Sequence, residues 1–376
     1  MKIITQEILS VNEFRKLLQE QHVISNIAVQ GLDLTSLASE FYQSTLHDCL
    51  FIGCGLTDPM TCYLQQNNYV FPKMDLPYLI YPNKLYNRFD LYKGYDPDNP
   101  DSYLKTYHKI IYDHFIKTGK YTTDIKESLA RSLHDQSITN ALQDFIQKYD
   151  ERQIIAVMGG HSMLRTDPMY KKIVLLSKSL TEQGKLMISG GGPGAMEATH
   201  LGAWLAESPE DTVDQALEIL AESPLYTDKN WLSAAFKVID QYQESNYNSL
   251  GIPTWLYGHE PPSPFASHIA KYFTNSIREE GLLAIAKGGI IFTPGSAGTM
   301  QEVFQEVTQN HYLTLKYASP MLFMNTEFWT NDWGVYSLLK NLSDQKKLNN
   351  LDLGLYDSID RIKDHLEQFY KSNTPA

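Results

Sequence analysis

The residues in this 376-residue chain with the clearest chemical potential are two glycine-rich turns, GGGPGAMEA at 190–198 and PGSAGTMQE at 294–302. Each follows an apolar run and opens a helical pattern. A phosphate or ribose bound there would meet backbone N–H groups, and a Cβ would block that approach. A helix N-terminus adds partial positive charge. The candidates are Gly190, Gly191, Gly192 and Gly194 in the first turn, and Gly295, Ser296, Ala297, Gly298 and Thr299 in the second. Ser296 and Thr299 add hydroxyl donors. A strand–helix turn that needs glycine only for its dihedrals is the plain alternative for either turn alone. Two such turns after two strands of one parallel sheet share its carboxyl edge, where open α/β sheets bind ligands.

Gly190, Gly192 and Ala195 also fit the dinucleotide fingerprint G-x-G-x-x-A. That fingerprint expects an acid at the tip of the next strand, whereas Glu207, Glu210 and Asp211 fall in a helical stretch. A nicotinamide or flavin cofactor therefore ranks second. Four other residues are weaker candidates. Arg165, in GGHSMLRTDP, could reach a phosphate or be an exposed loop residue. His259 and Glu260, in TWLYGHEPP, could line a pocket or belong to a turn held by Pro261 and Pro262. Met196 could underlie a base, although its spacing suits a core position.

The surrounding elements predict how these turns are held. Gln153–Met158 reads as a buried strand, Tyr170–Gln183 as a helix and Lys185–Ser189 as a strand, with a helix from the first turn through Trp204. After helical decoration at Ala206–Ser249, a strand is expected at Thr254–Tyr257, a helix at Phe265–Ala286 and a strand at Gly289–Thr293. A helix at Ala297–His311, a strand at Met321–Met324 and a final helix at Asp357–Tyr370 follow. Alternation of this kind predicts an α/β protein with a Rossmann-like, doubly wound parallel sheet. The chain divides near Asp150. Residues 1–150 form an N-terminal α/β extension with strands at Ile27–Val29, Cys49–Ile52 and Tyr69–Phe71. Helices are read at Glu13–Gln21, Pro59–Gln66, Tyr103–Lys117 and Thr123–Lys148, and no internal repeat is read.

A formal net charge of −12 argues against non-specific binding to nucleic acid or an anionic membrane. A small phosphorylated ligand needs only a local cation and is not excluded. Cys49, Cys54 and Cys62 form no CxxC pair, so free thiols in a cytoplasmic protein are expected. The N-terminus MKIITQEILSVNEF suggests no secretory leader, and no stretch reads as membrane-spanning.

Together, GGGPGAMEA and PGSAGTMQE resemble the Lonely Guy family, often mislabelled as lysine decarboxylases, whose motifs are GGGxxGxM and PGGxGTxxE. Bacterial nucleotide 5′-monophosphate nucleosidases have similar sequences. The resemblance spans about Gln153 to Asn325 and includes FASHIAKYFTNSIREEGLLAIAKGG, the helix ahead of the second motif. It implies a Rossmann-like homodimer that releases a free base and ribose 5-phosphate with no metal or redox cofactor. It also implies that Glu302 is the catalytic carboxylate, Arg278 the second key group, Gly295–Thr299 the phosphate loop and Thr308 a further site residue. Three departures stand out: Ser296 replaces a usual glycine, Glu279 replaces a usual lysine beside Arg278, and the gap between Met196 and Arg278 is longer than in compact members. The expected reaction builds positive charge on the sugar, which a carboxylate near C1′ stabilises while orienting water. Arg278 could hold the phosphate or stabilise the leaving base. A carrier that binds a nucleotide or nucleotide-like cofactor without turnover is the alternative. No lysine stands out as a pyridoxal phosphate site.

Overall fold

The computed structural model describes residues 6–372. The reading of a leaderless N-terminus therefore falls partly outside the described residues. The chain forms two compact units, Met1–Leu85 with Thr118–Asp144, and Tyr86–Lys117 with Phe145–Ala376. A single division near Asp150 would put Tyr86–Lys117 in the N-terminal part. In the structure this segment packs into the second unit. There Arg88 forms an ion pair with Glu244 at 2.8 Å and donates to the Pro264 carbonyl at 2.7 Å, while the Tyr92 hydroxyl donates to the Pro262 carbonyl.

The first unit contains β1 (Gln6–Ile8), β2 (Val23–Ser25), β3 (Ile27–Gln30), β4 (Thr45–His47), β5 (Leu50–Ile52) and β6 (Tyr69–Phe71). One parallel sheet runs β1-β3-β5-β6, and β2 pairs with β4 in another. Val23 pairs with Thr45 and Gln30 with Ile52, a constant offset of 22. Both coils turn the same corners: Asn26 and Asp48 have φ 58° and 56°, and Gly31 and Gly53 have φ 67° and 60°. The unit is thus a short repeat, which corrects the sequence reading that finds none. The two copies are hard to see in sequence because inward positions need only be apolar. Ile24 answers Leu46 and Val29 answers Phe51, all buried.

The second unit is built on β7 (Ile154–Met158), β8 (Leu186–Ser189), β9 (Ser249–Gly251), β10 (His268–Ile269), β11 (Gly289–Phe292), β12 (Met321–Met324) and β13 (Leu353–Tyr356). All seven are parallel, in the order β10-β9-β8-β7-β11-β12-β13. The chain steps outward from β7 to β10, then returns to β7's other side and steps away to β13. This reversal makes the sheet doubly wound and Rossmann-like, and it sets a topological switch point between β7 and β11. Every residue of β7, β8, β9, β11 and β12 is buried, as expected for parallel strands covered on both faces.

Helix Pro168–Glu182 starts where the Asp167 carboxylate accepts from the Met169 amide at 2.7 Å, with proline in the first turn. It packs closely on helix Ala195–Trp204 because Gly202 has no Cβ. A methyl group there would overlap the Val174 carbonyl.

Two expectations fail between β8 and β11. The strand read at Thr254–Tyr257 is instead a bridge and turn, and the strand proper is β9, ahead of Pro253. The apolar side chain that suggested the strand, Trp255, is buried in a turn. The long helix read at Phe265–Ala286 splits into β10 and helix Asn275–Ile285. Pairing of His268 with Leu250 decides that split, and it is a tertiary interaction invisible to local periodicity. Sequence patterning also assigns no element at Val335–Asp344 or Leu353–Tyr356, which are a helix and β13.

Candidate functional site

At the carboxyl edge of this sheet, around the switch point, lies a cleft of about 350 Å³. Three loops build its floor and are tied by backbone bonds. The Gly160 amide donates to the Pro294 carbonyl (3.1 Å), the Thr293 amide to the Met158 carbonyl (2.8 Å), and the Ala195 amide to the Gly160 carbonyl (3.1 Å). Glycine keeps these crossings close. A Cβ on Gly160 would approach Gly295 Cα to 3.2 Å, and one on Gly159 would overlap Thr293 Oγ1.

Both glycine turns reach the cleft. Gly190 and Gly192 line it from one turn, and Ser296, Ala297, Gly298 and Thr299 line it from the other. Helix Ala297–Tyr312 has Ser296 at its N-cap but no side-chain cap bond, so the amides of its first turn are left open at the cleft. The remaining glycines act one layer back. Gly191 (φ 72°) lies against Pro253 and Gly251, Gly194 (φ 68°) fits under the Gly160 carbonyl, and Gly295 leaves room for Thr299. The Gly191 amide donates to Ser189 Oγ at 3.0 Å. Ser189 Oγ in turn lies 2.8 Å from His200 Nε2, and His200 Nδ1 lies 3.1 Å from Ser249 Oγ. Burial pushes His200 down to about 3, so it holds this turn as a neutral imidazole.

Glu302 and Arg278 meet in the cleft. Arg278 Nη1 lies 3.6 Å from Glu302 Oε1. Arg278 Nη2 donates to Asn275 Oδ1 at 3.0 Å and to Glu279 Oε1 at 3.4 Å, while its buried Nε has no hydrogen-bond partner. Glu279 is held by Asn275 Nδ2 at 2.6 Å and Gln301 Nε2 at 2.8 Å. The Glu302 side chain is 15% exposed. Burial raises its carboxyl to about 7; Arg278 opposes this and Glu279 adds to it. The arrangement sets a carboxylate that titrates near neutrality beside a cation with unspent donors, at the end of an uncapped helix. Chemically, it can hold an anion and place a carboxylate next to whatever the anion is attached to.

Two predicted site residues lie elsewhere. Arg165 is buried in a fork with Glu197 (Nε–Oε2 3.0 Å, Nη2–Oε1 2.6 Å), donates to the Trp231 carbonyl, and stacks over the Trp231 ring. The fork occupies its guanidinium in a buried ion pair, so it does not line the cleft. Thr308 is exposed, and its hydroxyl donates back to the Phe304 carbonyl at 2.8 Å. One and a half turns beyond Glu302, the helix has carried it around and away from the cleft.

Other residues join the wall. Met196 lines the cleft, and its sulfur accepts from the Gly192 amide at 3.4 Å, which removes it from the core role its spacing suggested. His161, Tyr257, Glu260, Glu279 and Gln301 also face inward. His259 does not line the cleft. Glu279 and Gln301 sit in the stretches that carry the motif resemblance, whereas the sequence signal for His161, Tyr257 and Glu260 was proximity to strand ends. Among the described residues, no group of three His, Cys, Asp or Glu side chains is placed to hold a metal, and no helix is long and apolar enough to cross a membrane. The three cysteines are unpaired.

No family model matches the chain, and no curated protein matches it. Among solved structures, a molybdenum cofactor binding protein from the phototrophic bacterium Rippkaea orientalis is 16% identical. It aligns with 57% of this chain and 96% of its own, at a TM-score of 0.37. The protein TM1055, a structural genomics target, is 18% identical over 57% of this chain and 98% of its own, also at 0.37. The functional reading therefore rests on the geometry of the cleft.

Proposed function

We propose that this protein is an N-glycosidase that hydrolyses a nucleoside 5′-monophosphate to the free base and ribose 5-phosphate. The observation that carries the reading is Glu302, enclosed beside Arg278 in a switch-point cleft that two glycine turns also line. The resemblance of GGGPGAMEA and PGSAGTMQE to Lonely Guy proteins and nucleotide nucleosidases supports it. The open amides at Ala297–Thr299 take the phosphate. This anchors the sugar and supplies binding energy remote from the reacting bond.

In the reaction, water adds to C1′, the C1′–N bond breaks with its electron pair moving to the base, and the proton lost by water ends on the departing base. The ionised Glu302 carboxylate stabilises the oxocarbenium-like sugar and orients the water. Arg278 neutralises the phosphate or the electron-rich base through its guanidinium. Glu279 has a positioning role. It shares Arg278 and Asn275, and it holds Gln301, the neighbour of Glu302. A homodimer acting on a small phosphorylated substrate, as the resemblance implies, belongs to the same proposal.

The test is incubation with AMP, GMP, CMP, UMP and IMP, with free base and ribose 5-phosphate as readouts. Release from at least one nucleotide is expected, and Glu302→Ala should lower kcat by ~10²–10⁴-fold. Tight binding with no release from any of them would overturn the hydrolase reading in favour of a non-catalytic nucleotide carrier.

A further inference from the structure

Across the cleft from Glu302, the structure places a second carboxylate that the proposed hydrolysis does not use. Glu260 follows β9 in the turn Tyr257–Glu260, closed by a bond from the Glu260 amide to the Tyr257 carbonyl at 2.9 Å. Its side chain is 16% exposed and lines the cleft. Its Oε2 lies 3.4 Å from where a Cβ on Gly192 would sit, so the carboxylate faces the first glycine turn. Two imidazoles flank it: His161 Nδ1 at 3.7 Å and His259 Nε2 at 3.9 Å. Both are beyond hydrogen-bond reach, and no donor among the described residues bonds to this carboxylate. Fully buried Lys271 lies behind it; burial pushes its ammonium down to about 7, and the Glu260 carboxylate opposes that shift. This is a mostly enclosed acceptor whose hydrogen-bonding capacity is unspent. A partly desolvated carboxylate in that state gains most from a ligand that donates to both oxygens.

Resting on the nucleotide reading of this cleft, we infer that Glu260 selects the base, and that the preferred base presents two adjacent N–H donors. An ionised carboxylate only accepts hydrogen bonds. Guanine offers N1–H beside its 2-amino group, a donor pair that matches two carboxylate oxygens. Adenine and cytosine place an acceptor next to their amino group, and uracil flanks its single N–H with acceptors. Hypoxanthine keeps N1–H but lacks the amino group. The 5′-monophosphate of a 2-amino-6-oxopurine, GMP, is therefore the favoured ligand.

GMP against IMP is the sharpest comparison, since the two differ only by the 2-amino group. Calorimetry on Glu302→Gln, which removes turnover as a complication, should show GMP binding roughly ten- to hundredfold more tightly than IMP or AMP. Glu260→Gln, introduced into that background and checked for an unchanged melting temperature, should bring the GMP-to-IMP ratio close to one. Equal affinity for GMP and IMP in the Glu260-containing protein would overturn the inference, whether or not the wild-type protein cleaves nucleotides. A binding preference for GMP without base release would keep the inference and overturn the hydrolase reading. The first comparison needs no substitution at Glu260, so a misfolded Glu260 variant cannot hide the answer.

Discussion

Glu302 gathers most of the chemistry at the residue scale. Burial raises its carboxyl above 4.5 to about 7, so the folded protein holds the proton more tightly than the unfolded chain. Its favourable contribution to stability is present below about 4.5 and is lost as pH rises through about 7. Replacing it with glutamine removes a charge that is costly to bury. Glu302→Gln is expected to be more stable than wild type at pH 8 by on the order of 1–3 kcal/mol, with the gap closing toward pH 5. Chemical denaturation at the two pH values measures this. Activity runs the opposite way, because the ionised carboxylate is the working form. kcat/KM should rise between pH 6 and pH 8, and a flat profile would remove Glu302 from the reaction. Function thus opposes stability at this position, as enzymes commonly arrange it.

At the element scale, glycines in the first turn have separate tasks. Gly194 adopts φ 68°, and a Cβ would overlap the Gly160 carbonyl, which is backbone and cannot swing aside. Gly194→Ala should therefore cost ~2 kcal/mol or more in stability and lower the melting temperature. Gly192 has no such conformation. A Cβ there would meet Met196 Cε at 2.9 Å and Glu260 Oε2 at 3.4 Å, both flexible ends that face the cleft. Gly192→Ala should leave the melting temperature within about 2 °C of wild type while weakening nucleotide binding. If the two variants lost stability equally, the first turn would be structural rather than a ligand cradle. The sequence shows four glycines in one turn as equivalent, and only their surroundings separate them.

For the whole molecule, the discontinuity of the second unit matters most. Tyr86–Lys117 brings Arg88 to Glu244, the Tyr92 hydroxyl to Pro262, and His108 Nε2 to within 3.1 Å of the Gly258 carbonyl. His108 also stacks on Trp255, with ring centroids 5.3 Å apart. These contacts support the Pro253–Pro264 segment from which Glu260 enters the cleft. A fragment that begins at the apparent boundary near Asp150 lacks them. It is expected to show a lower melting temperature and weaker nucleotide binding than the full chain, as calorimetry would reveal. Equal stability and affinity would show that the added segment does not support the site.

What the sequence determined alone was whatever short-range chemistry dictates. Runs such as Ile154–Met158 and Gly289–Phe292 are apolar because strands buried on both faces must be. Glycine clusters follow them because the chain turns and approaches itself closely there. That was enough for the α/β class, the Rossmann-like sheet and the two turns. Arg278 and Glu302 were picked out by motif resemblance. Only the tertiary structure decided the rest. It set β7 beside β11, placed Arg278 against Glu302, buried Arg165 on Glu197, turned Glu260 toward Gly192, stacked two dissimilar 22-residue coils, and gave Tyr86–Lys117 to the second unit. Each of these joins residues distant along the chain. Local periodicity carries no information about such pairs, because their energy comes from packing and desolvation that exist only after the elements have come together.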